Sequence, residues 1–332
     1  MSHTTNALTF FVWLALTSSI PIVPASADAQ QRVRVAYIGS SGSQVPFWLA
    51  IDLGLFKKHG LDVEAVHIRG GALATTALIA DEVQFVVAQG FTNIVSALQG
   101  HDVTILATYY NRNPYSFVTV PRITRASEVV GKKIGLLSIG SVNSLVAEFA
   151  LKHWGIDENK VVMLRAGATR ERVQAMMAGH LDATVAPIEE LRRMREAGLN
   201  VLLDIGKVNP FLPMASVSGR RNLPASKRPM VKQFLRGLSE GVIAFKNNKE
   251  QSLKTLSQWA RIPDRETLQD HYLAYYQSLS TPPKTELQGV QSILDFLTKS
   301  QPKAKGSRAQ DFIDESVLSE LQTEGFFEKL GS

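Results

Sequence analysis

The stretch from Val33 to Glu64, VRVAYIGSSGSQVPFWLAIDLGLFKKHGLDVE, constrains the fold of this chain more than any other. Val33, Val35 and Tyr37 alternate with Arg34 and Ala36 as in a strand. A turn of small residues follows, Gly39 to Ser43, and then Phe47, Trp48, Ile51, Leu55 and Phe56 recur at helical spacing, which predicts a helix over 46–58. Pro46 fits the first turn of that helix, where a missing N–H costs nothing. Gly60 can cap its end, and LDVEAVHI opens a second strand. A Gly/Ser turn at a helix start exposes backbone N–H groups and hydroxyls, which suits a small polar or anionic ligand. The same turn also serves as a plain strand-to-helix connection.

The alternation continues along the chain. Strands are predicted at 33–38, 62–67, 83–88 and 103–110, with helices at 72–81 and 91–99 between them. Unbroken apolar runs such as FVVA and VTILA read as buried parallel strands. Asn111-Arg112-Asn113-Pro114 is turn chemistry, and after the strand YSFVTV a second series begins: KKIGLL, a turn SIGS, a helix from Val142 to Trp154, VVMLRAG, a helix at 169–178, LDATVAP, a helix at 188–197 and NVLLDI. MASVSG is one more strand, and from Pro224 the pattern is helical, with one apolar stripe through Val231, Phe234, Leu235, Leu238, Val242 and Phe245. The expected fold is α/β: two Rossmann-like lobes joined by a two-strand hinge, with a helical C-terminal part packed on lobe 1. Lobe 1 takes residues 30–113 and 217–332, and lobe 2 takes 114–216. In open sheets of this kind a ligand sits outside the C-terminal strand ends, here in the cleft between lobes.

A chain of 332 residues accommodates two such domains. Ala7 to Val23 is an apolar run, and Pro24-Ala25-Ser26-Ala27-Asp28-Ala29 offers cleavage after Ala27 or Ala29, so residues 1–29 read as a secretory signal peptide. No later apolar run reaches the roughly 18 residues of a membrane span. There is no cysteine, which excludes disulfides, thiolate catalysis, Cys-ligated metal and a lipid-anchored cysteine. In a Gram-negative source a free periplasmic protein is therefore expected.

The net charge of +6 favours anions through the bulk field. The basic residues are scattered without interleaved aromatics, which argues against nucleic acid, and RRMRE at 192–196 reads as a solvated helix face. The seven histidines form no pair at metal-ligand spacing, and neither H-E-x-x-H nor G-x-S-x-G occurs. Binding without catalysis, metal or cofactor is the expectation.

Ala50, Gly54, Leu55, Phe56, Gly60, Leu61 and Val63 stand in the order of a motif that resembles the periplasmic substrate-binding proteins of nitrate/sulfonate/taurine-type ABC importers. SEVVGKKIGLLSIGS, MMAGHLDATVAP and RRNLPASKRPMVKQFLRG resemble later segments of that family, so the likeness covers about residues 32–245. It implies a monomeric, two-lobed protein of the periplasmic binding protein type that closes on a small solute and delivers it to a permease with its ATPase. Ligands known in the family range over nitrate, sulfonates, pyrimidine vitamin precursors and aromatic acids. Enzymes on the same scaffold, the pyrimidine-forming vitamin enzymes and dehydratases, are the alternative, but the former use a Cys-rich motif absent here. A sensor-associated binding protein is the other.

Candidate contacts follow from the turns. Ser40, Ser41 and Gln44 can donate to a carboxylate or sulfonate, and Gly70 and Gly71 open backbone N–H groups to the cleft. Gln89 and Gly90 end an apolar strand, and Trp48, Phe91 and Tyr109 either stack on a ring or pack the core. Ser138, Gly140, Ser141 and Asn143 begin the first long helix of lobe 2, a G-x-x-x-x-G-S spacing without the P-loop lysine. Thr169 starts the next helix as ligand contact or N-cap. Glu189 is placed to meet a ligand amine or hydroxyl, or to complement a helix dipole. Arg69, Arg112 and Arg170 near turns add to the preference for an anion.

Overall fold

The computed structural model describes Met1 and residues 30–331; the expected signal peptide, Met1 apart, lies outside the described residues. Strands β1 Gln31–Tyr37, β2 Leu61–His67, β3 Phe85–Ala88 and β4 Thr104–Arg112 open the chain. Strands β5 Tyr115–Thr119, β6 Lys133–Leu136, β7 Val162–Arg165, β8 Ala183–Pro187 and β9 Asn200–Asp204 follow, and β10 Phe211–Gly219 is the last. They form two five-stranded sheets, ordered β2-β1-β3-β10-β4 and β7-β6-β8-β5-β9. In each sheet the βαβ strands run parallel. The crossing strands, β10 in the first sheet and β5 in the second, run antiparallel to both of their neighbours.

The expected element order is present, with differences at the joints. The helix expected over 46–58 breaks into Val45–Asp52 and Leu55–Lys58, because Gly54 takes a left-handed φ of 67°. Only glycine adopts that conformation without strain, so the break is written at Gly54. The return crossing also comes earlier than expected. The whole of β10 pairs in the first sheet, from Phe211 opposite Arg112 to Gly219 opposite Thr104, so residues 211–216 lie with lobe 1.

Strand β10 is buried along nearly its whole length and yet carries two serines. Each is satisfied: the Ser216 and Thr108 hydroxyls lie 2.9 Å apart, and Ser218 Oγ accepts from Asn93 Nδ2 at 2.6 Å. A buried hydroxyl without such a partner costs about 1–3 kcal/mol, so these pairs are what admit a polar strand to the sheet centre.

The first lobe is closed on one face by helix Arg228–Asn247. Phe234 stacks on Phe85 with ring centroids 4.3 Å apart and on Phe56 at 4.9 Å. Helix Lys249–Ala260 is tied to helix Val45–Asp52 by Asp52, which accepts from Thr255 Oγ1 at 2.6 Å and Trp259 Nε1 at 3.1 Å, while Trp259 stacks on Trp48. The C-terminal helices therefore pack on lobe 1 as expected from their apolar stripe, and at two places the C-terminal part also reaches lobe 2. Helix Arg265–Tyr276 also reaches lobe 2, through Arg192 Nε to Asp270 Oδ2 at 2.7 Å and Arg193 Nη2 to Thr267 Oγ1 at 2.6 Å. On another side Lys299 Nζ bridges to Glu148 and Glu158 of the second series at 2.6 and 2.7 Å.

Two chain crossings join the sheets and are bonded to one another, Asn113 N–H donating to Pro210 O at 3.0 Å. Among the described residues no helix is long and apolar enough to cross a membrane.

Close approach of helix Arg228–Asn247 to helix Val45–Asp52 depends on Gly241, where an added Cβ would lie 2.3 Å from the carbonyl oxygen of Pro46. Gly241→Ala is expected to cost about 1–3 kcal/mol, read as a lower midpoint in urea unfolding. An unchanged midpoint would show that the helix pair relaxes freely.

Candidate functional site

A cavity of about 220 Å³ lies between the two sheets, at the C-terminal ends of β1, β3 and β8 and beside the crossings. Lobe 1 lines it with Ile38, Gly39, Ser41, Ser43, Gln44 and Gln89. Tyr110 of β4, Pro114 of the first crossing, Tyr115 of β5 and Met214 of β10 join them, lobe 2 contributes Pro187 and Glu189, and helix Arg265–Tyr276 contributes Tyr275. A larger recess, about 920 Å³, lies off these strand ends between helices Val142–His153 and Leu287–Leu297, and its wall includes the Lys299–Glu148–Glu158 bridge. The smaller cavity is enclosed by both lobes and carries two buried polar atoms without partners among the described residues, Gln44 Oε1 and Glu189 Oε2, so it is the candidate site.

The opening turn is built for this wall. Gly39 takes a φ of 77°, and Ser41 leads into a single 3-10 turn, Gly42–Gln44, that runs into helix Val45–Asp52. One of the N–H groups expected to be free here is already used: Gly42 N–H donates to His271 Nδ1 at 3.2 Å. That bond needs the unprotonated ring nitrogen, and burial holds the His271 pKa down, at about 4. Gly42 has no room for a side chain, since a Cβ would come 2.4 Å from His271 O and 2.7 Å from Tyr275 Cδ2. The turn and helix Arg265–Tyr276 are thus locked together, which fixes Tyr275 at the cavity.

Across the cleft, Tyr275 Oη donates to Glu189 Oε1 at 2.8 Å, and Tyr110 stands edge-on to Tyr275 with centroids 4.8 Å apart. Glu189 is 5% exposed. Its Oε2 has no hydrogen-bond partner among the described residues, nor has Gln44 Oε1. Burial raises the Glu189 carboxyl from its usual 4.5 to about 7, against the lowering effect of the Tyr275 bond. Tyr115 lies beside the Gln89 and Asn143 side chains, and its phenol is pushed up to about 12, chiefly by burial.

The residues expected at the site divide accordingly. Ser41, Gln44, Gln89 and Glu189 line the cavity. Ser40 is exposed on the turn and does not line it. Trp48 is fully buried against Trp259, Phe91 packs on Phe296, and Tyr109 is fully buried, so these three are core residues. Gly90 serves packing, since a Cβ there would be 2.9 Å from Pro213, and Gly71 likewise clears Thr92 by having no side chain; neither it nor Gly70 lines the cavity.

In lobe 2 the SIGS turn is satisfied within itself. Ser138 O accepts from Ser141 Oγ at 2.6 Å, and Gly140 N–H donates to Ser144 Oγ at 3.0 Å. Asn143 Oδ1 accepts from Leu137 N–H at 3.2 Å and Arg172 Nη1 at 3.3 Å, so Asn143 supports Tyr115 from behind. Thr169 accepts from Arg172 Nη2 at 2.9 Å and lies in a separate surface recess with Arg170.

Tyr110, Tyr115 and Tyr275 were not among the expected contacts. Tyr110 neighbours the expected Tyr109 on β4, where opposite faces alternate, and a shift of one residue exchanges the cavity residue for the core one. Tyr275 lies on the buried face of its helix with Leu268 and Tyr272, a pattern that reads as core. The expectation of an anion finds no cation in the wall. Arg69 and Arg112 are exposed, and among the described residues no Lys or Arg lines the cavity. No cluster of His, Asp or Glu suited to a metal occurs among them either.

A model of the family described as "NMT1/THI5 like" matches residues 42–252. No curated protein sequence is similar enough to match. Among solved structures, a protein of Bordetella bronchiseptica RB50 superposes with a TM-score of 0.73 at 16% identity, covering 89% of this chain and 98% of that one. The periplasmic aliphatic sulphonate binding protein of Escherichia coli gives 0.69 at 16%, covering 86% and 92%. The periplasmic nitrate-binding protein of Synechocystis PCC 6803 gives 0.65 at 13%, covering 88% and 89%. At these identities the likeness is one of fold, and the two-sheet architecture is that of the periplasmic binding proteins.

Glu189→Gln tests the buried carboxyl. In the unfolded chain it ionises near 4.5 and in the folded protein near 7, so its ionisation lowers stability as pH rises through that window, by roughly 3 kcal/mol in total. His271 acts in the opposite sense, losing stability as pH falls from 6.5 towards 4, but equally in both proteins. Relative to wild type, the Gln variant should therefore gain stability between pH 4.5 and 7 and keep that gain at pH 8 in denaturant titrations. A pH-independent difference would show that Glu189 titrates as an ordinary carboxyl.

Proposed function

Because the chain belongs to the NMT1/THI5-like family, we propose that it is the exported solute-binding component of an ABC importer. It captures a small organic solute between its lobes and presents it to a membrane permease coupled to an ATPase. The observation that carries this reading is the cavity: it is walled by both lobes, lies at the strand ends where this fold places ligands, and holds buried polar atoms without partners. The function is binding only.

In this reading residues 1–29 direct export and are removed, and the mature protein works as a monomer in the periplasm. Lobe 1 comprises 30–113 with the C-terminal segment, and lobe 2 lies between the crossings. Ser41, Gln44, Gln89, Tyr110, Tyr115, Glu189 and Tyr275 contact the solute. Closure is hinge rotation about the two crossings, and the bridges from Arg192 to Asp270 and from Lys299 to Glu148 and Glu158 hold the lobes together. Such half-exposed pairs contribute about 0–1 kcal/mol each, enough to bias a hinge without locking it.

The mature protein is to be screened by thermal unfolding against small organic solutes of both charges and none. A solute at about 100 times its Kd adds about 2.7 kcal/mol and raises the melting temperature. If no solute does so, the binding reading falls. Unaltered uptake of a bound solute after deletion of the gene would sink the transport half. The double variant Arg192→Ala, Lys299→Ala should enlarge the radius of gyration of the unliganded protein in solution scattering and weaken solute binding several-fold. An unchanged radius would show that these bridges do not hold the lobes.

A further inference from the structure

The cavity's chemistry is specific enough to name a solute class, provided that this cavity is the solute site. We propose that the solute is a small organic cation bearing N–H donors, an amine, amidine or guanidine, and that the Glu189 carboxylate selects it.

Four observations converge on this class. The first is the unpartnered acceptors. Glu189 Oε2 and Gln44 Oε1 are buried in the same cavity wall, on opposite lobes, and neither accepts a hydrogen bond. Both residues are more than nine-tenths buried, Gln44 at 3% and Glu189 at 5% exposure, so bulk water does not satisfy them. A solute with two N–H donors joins the lobes by meeting both oxygens. The second is charge. Among the described residues Glu189 is the one Asp, Glu, Lys, Arg or His in the wall, so an anion would face a carboxylate with no compensating cation in the wall. Arg172 gives hydrogen bonds from Nη1 to Asn143 and Val185 O and from Nη2 to Thr169; its Nε has no partner among the described residues, but Arg172 does not line the cavity. The third is the aromatic wall. Tyr110, Tyr115 and Tyr275 line the same cavity as the carboxylate, and ring faces attract cations. Tyr275 already gives its hydroxyl proton to Glu189 Oε1, which leaves the other oxygen for the solute. The fourth is size. A cavity of about 220 Å³ has the volume of about seven waters at about 30 Å³ each, room for one small ring or a short chain.

The net charge of +6 does not oppose this assignment. Surface charges beyond about 10 Å are screened at 0.1 M ionic strength, whereas a buried carboxylate at contact is not. The composition of the surface and the chemistry of the site are separate matters here.

Shape-matched probes test the class. Benzamidine and benzylamine are compared with benzoate and benzenesulfonate, together with a wider set of alkylamines, guanidines, alkylcarboxylates and alkanesulfonates, by thermal shift at pH 8. Cations of the set should raise the melting temperature and their anionic counterparts should not. For the best cation, calorimetry should show a loss of about tenfold to a hundredfold in affinity in Glu189→Gln, the range expected for a hydrogen bond to a charged group. Because Gln keeps the shape and an acceptor for Tyr275, this variant is expected to fold, and its melting curve without probe checks that. The proposal is overturned if no cation stabilises the protein, or if Glu189→Gln binds the best cation as well as wild type does. Stabilisation by anions alone would overturn the solute class and leave the binding function standing. Silence from every charge class, with neutral solutes also silent, would remove both.

Discussion

Strand β10 can be completed only by a chain that has already made the second lobe. It lies between β3 and β4, antiparallel to both, and supplies hydrogen bonds that those strands cannot find in each other. Buried backbone groups must be paired, so the first sheet is unfinished until residues 211–219 return to it. The second lobe is therefore held between two crossings, and the crossings are bonded to each other where Asn113 meets Pro210. The cleft follows from this threading: both lobes are anchored at the same place, and the strand ends that flank it become the walls of one cavity.

The C-terminal helices convert that cleft into a particular site. Without helix Arg265–Tyr276 the Gly39–Ser43 turn would offer free N–H groups, the arrangement suited to an anion. With it, the Gly42 N–H is occupied by His271, and Tyr275 is placed four residues on, next to Glu189. One helix thus ties up one N–H of the turn and sets a tyrosine beside the carboxyl. The same helix bridges to Arg192 and Arg193, so the element that shapes the wall also ties the lobes. Neighbouring folds that bind sulphonate or nitrate share the scaffold, while the polarity of a site is set by a few side chains that fold likeness does not carry.

The fold was legible in the sequence to a large degree, because parallel α/β sheets write themselves as apolar runs alternating with helical periods. FVVA and the stripe from Val231 to Phe245 stand where those patterns place them, whereas VTILA, read as a parallel strand, lies at the sheet edge and pairs there with β10, antiparallel to it. The glycine signals were legible too: Gly54 and Gly60 take left-handed conformations, though only the structure shows that Gly54 divides its helix. The return crossing was placed late because MASVSG reads as a short strand, and its extension through Phe211-Leu212-Pro213 depends on pairing with β4.

What the sequence by itself determined is the series of strands and helices, the two chain crossings and four members of the wall, Ser41, Gln44, Gln89 and Glu189, since turns at strand ends are local and this fold directs ligands to them. What only the tertiary structure decided is which face each neighbour presents and what satisfies each polar group. Trp48 and Tyr109 read as well for stacking as for packing, and they went to the core; Tyr110, one residue on, went to the cavity. The Gly/Ser turn of the first βαβ unit kept its place at the cleft but gave its Gly42 N–H to His271, 229 residues away along the chain. Hydrogen-bond satisfaction and burial are sums over contacts distant in sequence, and they, more than the net charge of the chain, set the polarity of the site.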